Sequence, residues 1–137
     1  MSASPFDLTG RTAVVVGGTT GIGRALALGL AEAGADVVAT GRRSTAVDHV
    51  STAIEQRGRR TLRHPADVGD SASLQGLRDA CLTAFGHVDI VVAAAGITKR
   101  MPTLEMSESD WSQILDTNVT GMFRTYQAFA PSMIARG

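Results

Sequence analysis

The feature of the sequence that most constrains its fold is a glycine-rich turn between a short apolar run and a helical pattern. Residues 12–16 (Thr-Ala-Val-Val-Val) form a β-branched run typical of a strand buried on both faces. Gly17, Gly21 and Gly23 follow, and residues 24–33 have the pattern of a helix that Gly34 ends. Glycines here permit a sharp turn and a close approach of phosphate to the backbone, while the helix N-terminus offers unpaired N–H groups. The segment therefore predicts a strand–turn–helix unit that binds a phosphate-containing ligand.

Strand and helix patterns alternate along the rest of the chain. Further strands are predicted at residues 36–40, 60–64 and 88–93, and helices at 46–57, from Asp70 or Ser71 to about residue 85, and from Ser107 onward, with a bend near Pro131. Such alternation implies parallel strands joined by right-handed crossovers. We predict an α/β fold, a doubly wound, Rossmann-like parallel sheet of about four strands with flanking helices. Because such sheets normally have about five or six strands, residues 1–137 are expected to be the dinucleotide-binding half of a single domain, truncated before its C-terminal half.

The helix that begins at Ser107 is expected to bury an apolar side against the sheet. Without a downstream packing partner, Phe123, Phe129 and Met133 are expected to be uncovered, which predicts aggregation or self-association. Helical spacing predicts that the inner side of this helix is formed by Trp111, Ile114, Leu115, Val119, Met122 and Phe123.

Composition excludes several classes of function. The formal net charge is zero, which argues against a nucleic-acid or anionic-membrane surface. The single cysteine, Cys81, excludes an internal disulfide, and the three histidines have no ligand spacing, so no metal site is predicted. No apolar run approaches the roughly 20 residues of a membrane helix, and residues 1–11 lack a secretory-signal pattern. We therefore expect a cytoplasmic protein with no nucleic-acid, membrane or metal partner.

Several motifs resemble those of the short-chain dehydrogenase/reductase family. The Gly-x-x-x-Gly-x-Gly spacing of residues 17–23 resembles the family's glycine motif; most dinucleotide-binding domains have Gly-x-Gly-x-x-Gly, and a Walker loop ends in Gly-Lys-Ser/Thr. Residues 66–68 (Ala-Asp-Val) resemble its adenine-binding motif, residues 93–96 (Ala-Ala-Ala-Gly) its Asn-Asn-Ala-Gly motif, and Asn118 its helical asparagine. The resemblance covers essentially the whole chain. It implies a nicotinamide dinucleotide bound by Gly17, Thr19, Thr20, Gly21, Ile22, Gly23, Arg42, Arg43, Asp67, Val68, Ala93, Ala94 and Gly96.

Two departures from the family pattern concern the cofactor. Val16 replaces the usual threonine before the first glycine, and Ala93 and Ala94 replace the two asparagines. Both changes remove side-chain support and leave backbone contacts possible. They are therefore expected to affect cofactor affinity rather than the fold.

The end of the second predicted strand indicates which dinucleotide is preferred. An acidic residue there would bind the ribose 2′-OH, but Thr40-Gly-Arg-Arg43 has no acid and two guanidinium groups that suit a 2′-phosphate. We predict NADP(H) over NAD(H), with Arg42 the more important arginine. Thr20, a position often basic in relatives that use NADP, adds no support, and the alternative is that both arginines are simply solvated.

The catalytic residues that the resemblance implies are mostly missing. Family members have a serine, and a tyrosine four residues before a lysine, in which the tyrosine acts as general acid and base. The only tyrosine is Tyr126, with Ala130 four residues later, and the only lysine is Lys99. Asn118 alone corresponds to the family's catalytic tetrad, in which it kinks its helix and holds a water. The chain by itself is therefore expected to be inactive.

The segment at residues 96–106 resembles the corresponding loop of the subgroup containing gluconate 5-dehydrogenase and 2-deoxygluconate dehydrogenase. That resemblance implies an oxidoreductase that interconverts a secondary alcohol and a ketone, with a sugar acid as a candidate small-molecule substrate. Lys99 and Arg100 could clamp its carboxylate, or could simply be exposed cations. The full-length form is expected to be a homo-oligomer, a dimer or a tetramer. Two alternatives remain: a non-catalytic dinucleotide-binding or regulatory module, and an inert fragment that associates through exposed apolar helix faces.

Overall fold

The structure, a computed structural model, describes residues 4–137, so residues 1–3 of the predicted domain lie outside the described part. It is an α/β fold with a parallel sheet of three strands in the order β2-β1-β3. The strands are β1 (Thr12–Val16), β2 (Asp36–Thr40) and β3 (Ile90–Ala93). The helices are α1 (Gly21–Glu32), α2 (Ser44–Glu55), α3 (Ser71–Phe85), α4 (Glu108–Leu115) and α5 (Gly121–Arg136), with a 3₁₀ turn at Thr103–Glu105 and a π-helical turn at Asp116–Thr120. The predicted fold class is confirmed.

The central strand, β1, is also the centre of the core. All of its residues are at most 2% exposed, as expected for a strand covered on both faces. Val14 and Val16 belong to a cluster formed with α3 and α5, whereas Ala13 and Val15 belong to a cluster formed with α1 and α2. The helices contribute Leu74, Leu77, Cys81 and Phe129 to the first cluster and Ala27, Ala31, Val50 and Ile54 to the second.

The prediction of a strand at residues 60–64 is wrong. The segment runs beside β2, where the Val37 N–H donates to the Arg60 carbonyl, but side chains replace most of the ladder. The Arg60 N–H donates to the Asp36 carboxylate, and the Thr40 hydroxyl donates to the His64 carbonyl. The arginines of this polar segment reach outward, Arg63 to Glu55 and Arg60 to the Ala84 carbonyl. Side-chain bonding therefore holds the segment in place of a ladder, and the sheet has three strands within residues 4–137.

The long helix predicted from Ser107 is present but interrupted. The Ser107 hydroxyl accepts from the Asp110 N–H, as a capping residue does, and the π turn separates α4 from α5. The predicted inner side is wrong for most of its residues, since only Ile114 is half-buried and Phe123 is 60% exposed. The other exposed members are Trp111, Leu115, Val119 and Met122.

The part of this helix that is buried differs from the prediction, because β3, the strand at the edge of the sheet, lies beneath α5 rather than beneath α4. The buried residues of α5 are Gly121, Thr125, Ala128 and Phe129. Phe129 is fully buried, contrary to the prediction that it is uncovered, and Met133 is half-buried against the same cluster. Phe123 is uncovered, as predicted.

Asp89 joins the amino-terminal ends of two strands to α5. Its Oδ2 accepts from the Thr12 N–H at 2.8 Å and lies 2.8 Å from His87 Nδ1. Its Oδ1 faces the guanidinium groups of Arg11 at 3.6 Å and Arg136 at 3.2 Å. Burial by itself raises the pKa of this carboxyl, but the hydrogen bonds from Thr12 and His87 and the neighbouring positive charges outweigh it and hold the pKa below its ordinary value. This amino-end cluster fastens the edge of the sheet opposite the glycine-rich turn.

Candidate functional site

A cleft of about 700 Å³ lies at the carboxyl-terminal edge of the sheet, where the glycine-rich turn and the segments after β2 and β3 meet. Open α/β sheets bind ligands at this edge. Of the predicted cofactor-binding residues, Ala93 alone does not line the cleft, because it pairs with Val16 inside the sheet. The cleft is lined by Gly17, Thr19, Thr20, Gly21, Ile22, Gly23, Arg42, Arg43, Asp67, Val68, Ala94 and Gly96 from the prediction, and by Val16, Gly41, Ala66, Ala95, Ile97 and Thr117 besides.

Each glycine of the turn is required for a different structural reason. Gly17 has a φ of +81°, and a Cβ there would lie 2.3 Å from the Ala95 nitrogen. At Gly23 a Cβ would lie 1.9 Å from the Gly17 carbonyl oxygen, so the first turn of α1 packs directly against the backbone after β1. Gly21, by contrast, has a φ of +55° and open space where its Cβ would be. The turn thus leaves a bare backbone facing the cleft, a cradle that a side chain at Gly21 would fill.

The N-terminus of α1 opens onto this cradle. Thr20 is the N-cap residue, and within residues 4–137 its side chain makes no capping hydrogen bond. The first turn of α1 also contains no acidic residue. The unpaired N–H groups and the positive end of the helix dipole are therefore free to face an anionic group, as a pyrophosphate requires.

One wall of the cleft is the segment from Ala66 to Val68, which is fixed at both ends. The Ala66 N–H donates to the Gly41 carbonyl, and the Asp67 N–H donates to the Ser73 hydroxyl. The Asp67 Oδ1 accepts from the Gly69 N–H at 2.8 Å, which orients the carboxylate at the cleft, and the residue is exposed. This wall presents a hydrogen-bond acceptor, the Asp67 carboxylate, to the cleft.

Arg42 and Arg43 lie at the mouth of the cleft beyond β2. Both are exposed and line the cleft. Within residues 4–137 neither forms an ion pair, unlike Arg57, Arg63 and most other arginines. Their positive charges are therefore available to a ligand.

Asn118 lies in the π turn and joins it to the segment after β3. Its Nδ2 donates to the Ile97 carbonyl at 2.9 Å, and its Oδ1 accepts from the Ile97 N–H at 2.7 Å. Gly96 is packed beneath it, because a Cβ there would lie 3.3 Å from Asn118 Oδ1. Ile97 and Thr117 line the cleft but carry no recognisable sequence motif, so only their neighbours Gly96 and Asn118 could have pointed to them.

The predicted substrate residues, Lys99 and Arg100, lie outside the cleft. Lys99 Nζ lies 2.5 Å from Asp110 Oδ1, a contact that fastens the loop after β3 to α4. The hydrogen bond from Lys99 and that from Ser107 hold the pKa of Asp110 below its ordinary value. Arg100 is exposed, and neither cation lines the cleft.

The arrangement of these residues defines a class of binding site. A parallel sheet, a glycine turn with a bare backbone and an open helix N-terminus at the same edge fit the pyrophosphate of a dinucleotide. Residues 11–137 match the family model for short chain dehydrogenases, and the chain belongs to this family. The predicted family is confirmed.

Relatives of the predicted subgroup are among the similar proteins. The chain is 41% identical to the 2-dehydro-3-deoxy-D-gluconate 5-dehydrogenase of Escherichia coli over 100% of this chain and 53% of that protein, and 38% identical to the gluconate 5-dehydrogenase of Gluconobacter oxydans over 96% and 52%. It is also 36% identical to an uncharacterized NAD-dependent oxidoreductase of Mycobacterium tuberculosis over 100% and 54%. The crystal structure of a short-chain type dehydrogenase/reductase from Mycobacterium marinum superposes with a TM-score of 0.92 at 39% identity, over 96% of this chain and 53% of that one. The chain thus spans about half the length of these relatives.

Two further features of the described residues concern membrane-spanning helices and metal-ligating side chains. From residue 4 to residue 137, no helix is long and apolar enough to cross a membrane. In the same part of the chain, no group of three or more potential metal-ligating side chains comes together.

Proposed function

We propose that the chain is the cofactor-binding part of an oxidoreductase that interconverts a secondary alcohol and a ketone, and that it binds NADP(H) in preference to NAD(H). The observation that carries this proposal is the cleft, in which bare backbone at Gly21 and the open N-terminus of α1 face the same space as Arg42 and Arg43. Family membership supports a nicotinamide dinucleotide as the cofactor. Arg42 and Arg43, which form no ion pair within residues 4–137, support NADP(H), although one relative is described as NAD-dependent.

Each wall of the cleft has a role in holding the cofactor. Gly17, Gly21 and the first turn of α1 would hold the pyrophosphate, because their backbone can approach it and the helix N-terminus favours negative charge. Arg42 and Arg43 would bind the 2′-phosphate, and Asp67 with Val68 would hold the adenine. When bound, the nicotinamide supplies the acceptor or donor of a hydride. Ile97, fixed by Asn118, presents backbone at the other end of the cleft.

The cofactor preference is tested by titrating the chain with NADPH and NADH and measuring dissociation constants by fluorescence. We expect tighter binding of NADPH, and we expect Arg42→Gln to weaken NADPH binding about ten- to hundredfold, since a charge-assisted hydrogen bond contributes about 1.5–3 kcal/mol, while leaving NADH binding unchanged. Arg57→Gln, an arginine outside the cleft, is the matched control. Equal affinities for the two cofactors, unaffected by Arg42→Gln, would contradict the preference.

The substrate class is proposed from the relatives, which are named for sugar acids. Residues 1–137 contain neither a Tyr-x-x-x-Lys pair nor a second lysine, so the chain alone lacks the pair that the resemblance assigns to proton transfer. We expect it to bind NADPH without oxidising it in the presence of keto sugar acids. Because neither Lys99 nor Arg100 lines the cleft, Arg100→Ala in an active protein that contains this chain decides whether a carboxylate clamp exists: a raised KM for a sugar acid would support it, and an unchanged KM would argue against it.

A second candidate function is a non-catalytic dinucleotide-binding module, which the same cleft would serve equally well. Tight NADP(H) binding with no turnover by any protein that contains the chain would support it. A third possibility, a fragment that only associates with itself, is favoured by the exposed residues Val119, Met122 and Phe123. The full-length form is proposed to be a dimer or tetramer, and sedimentation with and without NADPH separates ordered assembly from aggregation.

A further inference from the structure

Arg124, on the first turn of α5, makes two hydrogen bonds that join parts of the cleft distant in sequence. Its Nη1 donates to the Val68 carbonyl at 3.1 Å, and its Nη2 donates to Asp116 Oδ1 at 2.8 Å. The side chain is 21% exposed and is not among the residues that line the cleft. Arg124 therefore connects two walls of the site from behind.

The first connection fixes the adenine-side wall. Val68 is 8% exposed, and its side chain packs so closely on α5 that a Cβ at Gly121 would lie 2.9 Å from both Val68 Cβ and Cγ2. Arg124 holds the carbonyl of the same residue. The position of Asp67, immediately before Val68, is thereby set by α5 as well as by its own turn.

The second connection fixes the opposite wall. Asp116 is the first residue of the π turn that contains Thr117, which lines the cleft, and Asn118, which holds Ile97. The hydrogen bond with Asp116 raises the pKa of Arg124, and the charges of Asp67 and Asp70 act in the same direction. The guanidinium group thus also offsets the negative charge that gathers behind the adenine-side wall.

We infer that Arg124 is a positioning residue for the dinucleotide site: it holds the Asp67–Val68 wall at a fixed distance from the π turn. The inference rests on the proposed function, since it assumes that an adenine-containing ligand occupies this wall. Arg124 touches no ligand and acts through Val68 and Asp116.

The test compares Arg124→Met and Arg124→Lys with the wild-type chain. The matched control is Arg78→Met, because Arg78 also spans an aspartate and a helix carbonyl but lies outside the cleft. The probe is adenosine 2′,5′-bisphosphate, which carries the adenine side of NADP(H), titrated by calorimetry well below the melting temperature of every variant. Arg124→Met is expected to weaken binding about five- to tenfold, because it removes the hydrogen bonds to both Val68 and Asp116. Arg124→Lys, which can reach one of the two partners, is expected to bind with intermediate affinity.

A second measurement needs no ligand. The Gly69 and Asp70 N–H groups are hydrogen-bonded to Asp67, so their hydrogen exchange reports on the wall. Arg124→Met is expected to accelerate their exchange relative to the core amides of β1, whereas Arg78→Met is not. Wild-type affinity and wild-type exchange in Arg124→Met would overturn the inference, as would an equal loss of affinity in Arg78→Met. If the wild-type chain fails to bind the bisphosphate, the proposed function fails, and the exchange rates still decide whether Arg124 holds the wall.

Discussion

Replacing Asp89 with alanine is expected to lower the free energy of unfolding by about 2–4 kcal/mol. Thr12 is 2% exposed, so without Asp89 its N–H would be left without an acceptor in a dry environment, which costs about 1–3 kcal/mol. The side chains of Arg11 and Arg136 are 59% and 51% exposed, so each ion pair adds less than about 1 kcal/mol. Asp89→Asn keeps an acceptor for Thr12 and should cost only about 1–2 kcal/mol.

Urea unfolding followed by far-ultraviolet circular dichroism at pH 7 measures these differences. Asp79→Asn is the control, because Asp79 is 67% exposed and pairs with its neighbour Arg78. It should remain within about 0.5 kcal/mol of the wild type. An Asp89→Ala variant equally close to the wild type would refute the reasoning that the amino-end cluster fastens the sheet.

The pH dependence gives an independent check on Asp89. Its pKa in the folded chain lies below the value of about 3.9 expected when unfolded. The stability contributed by the charged carboxylate is therefore complete above about pH 4 and is lost as the pH falls through the folded-state pKa. The difference between the wild type and Asp89→Asn should shrink in that range, and a difference that grows on acidification would contradict the assignment.

Three further experiments test the packing. Gly23→Ala should lower the free energy of unfolding by about 3 kcal/mol or more in urea, because its Cβ would meet the Gly17 carbonyl at 1.9 Å; Gly29→Ala, in open space on the same helix, should raise it by about 0.5–1 kcal/mol. Burial raises the pKa of Cys81 to about 12, so a thiol reagent at pH 8 should label the folded chain about a thousandfold more slowly than the chain unfolded in urea. For the same reason, the free energy of unfolding should fall as the pH rises above the ordinary pKa of a thiol. Phe123→Glu should raise the dissociation constant of any self-association about tenfold or more in sedimentation experiments, since it removes an exposed apolar side chain.

These three predictions have distinct failure points. Equal destabilisation by both glycine substitutions would mean that the close packing of α1 on the turn is not limiting. Rapid labelling of the folded chain would show that the site of Cys81 opens to solvent. Gln127→Glu, at an exposed polar position of the same helix, is the control for charge, and an equal effect on association would exclude a specific role for Phe123.

The parts of the fold that could be predicted are those that depend on local sequence. β1 and β2 have the predicted bounds because each has an uninterrupted apolar centre, Ala13–Val16 and Val37–Ala39, and α3 begins as predicted because the Asp70 carboxylate accepts from the Ala72 N–H. α2 spans Ser44–Glu55, two residues earlier than predicted. The strand prediction for residues 60–64 is wrong because the Thr40 hydroxyl and the Asp36 carboxylate, rather than a backbone ladder, hold most of this segment.

In the site, too, the features set by local sequence could be predicted, and those set by contacts between distant segments could not. Glycine spacing predicted which backbone faces the cleft, since the requirements on Gly17 and Gly23 are steric and local. The pairing of Lys99 with Asp110 and of Asn118 with Ile97 could not be read from the sequence, because both depend on how the loop after β3 meets the next helix. Periodicity likewise predicts that a helix has an apolar side, but it does not say whether another element covers that side, as Phe123 demonstrates.

The π turn at Asp116–Thr120 fixes the length of the chain between the two helices. A π turn holds one more residue than an α turn, and each residue of an α-helix rotates the next by about 100°. Deleting a single residue there would convert the π turn into an ordinary α turn and leave the directions of the later side chains of α5 almost unchanged, so that Thr125 and Phe129 would stay fully buried. When related sequences are aligned, a relative with an uninterrupted α-helix would therefore need a one-residue gap within residues 116–120 for its core residues to match Thr125 and Phe129.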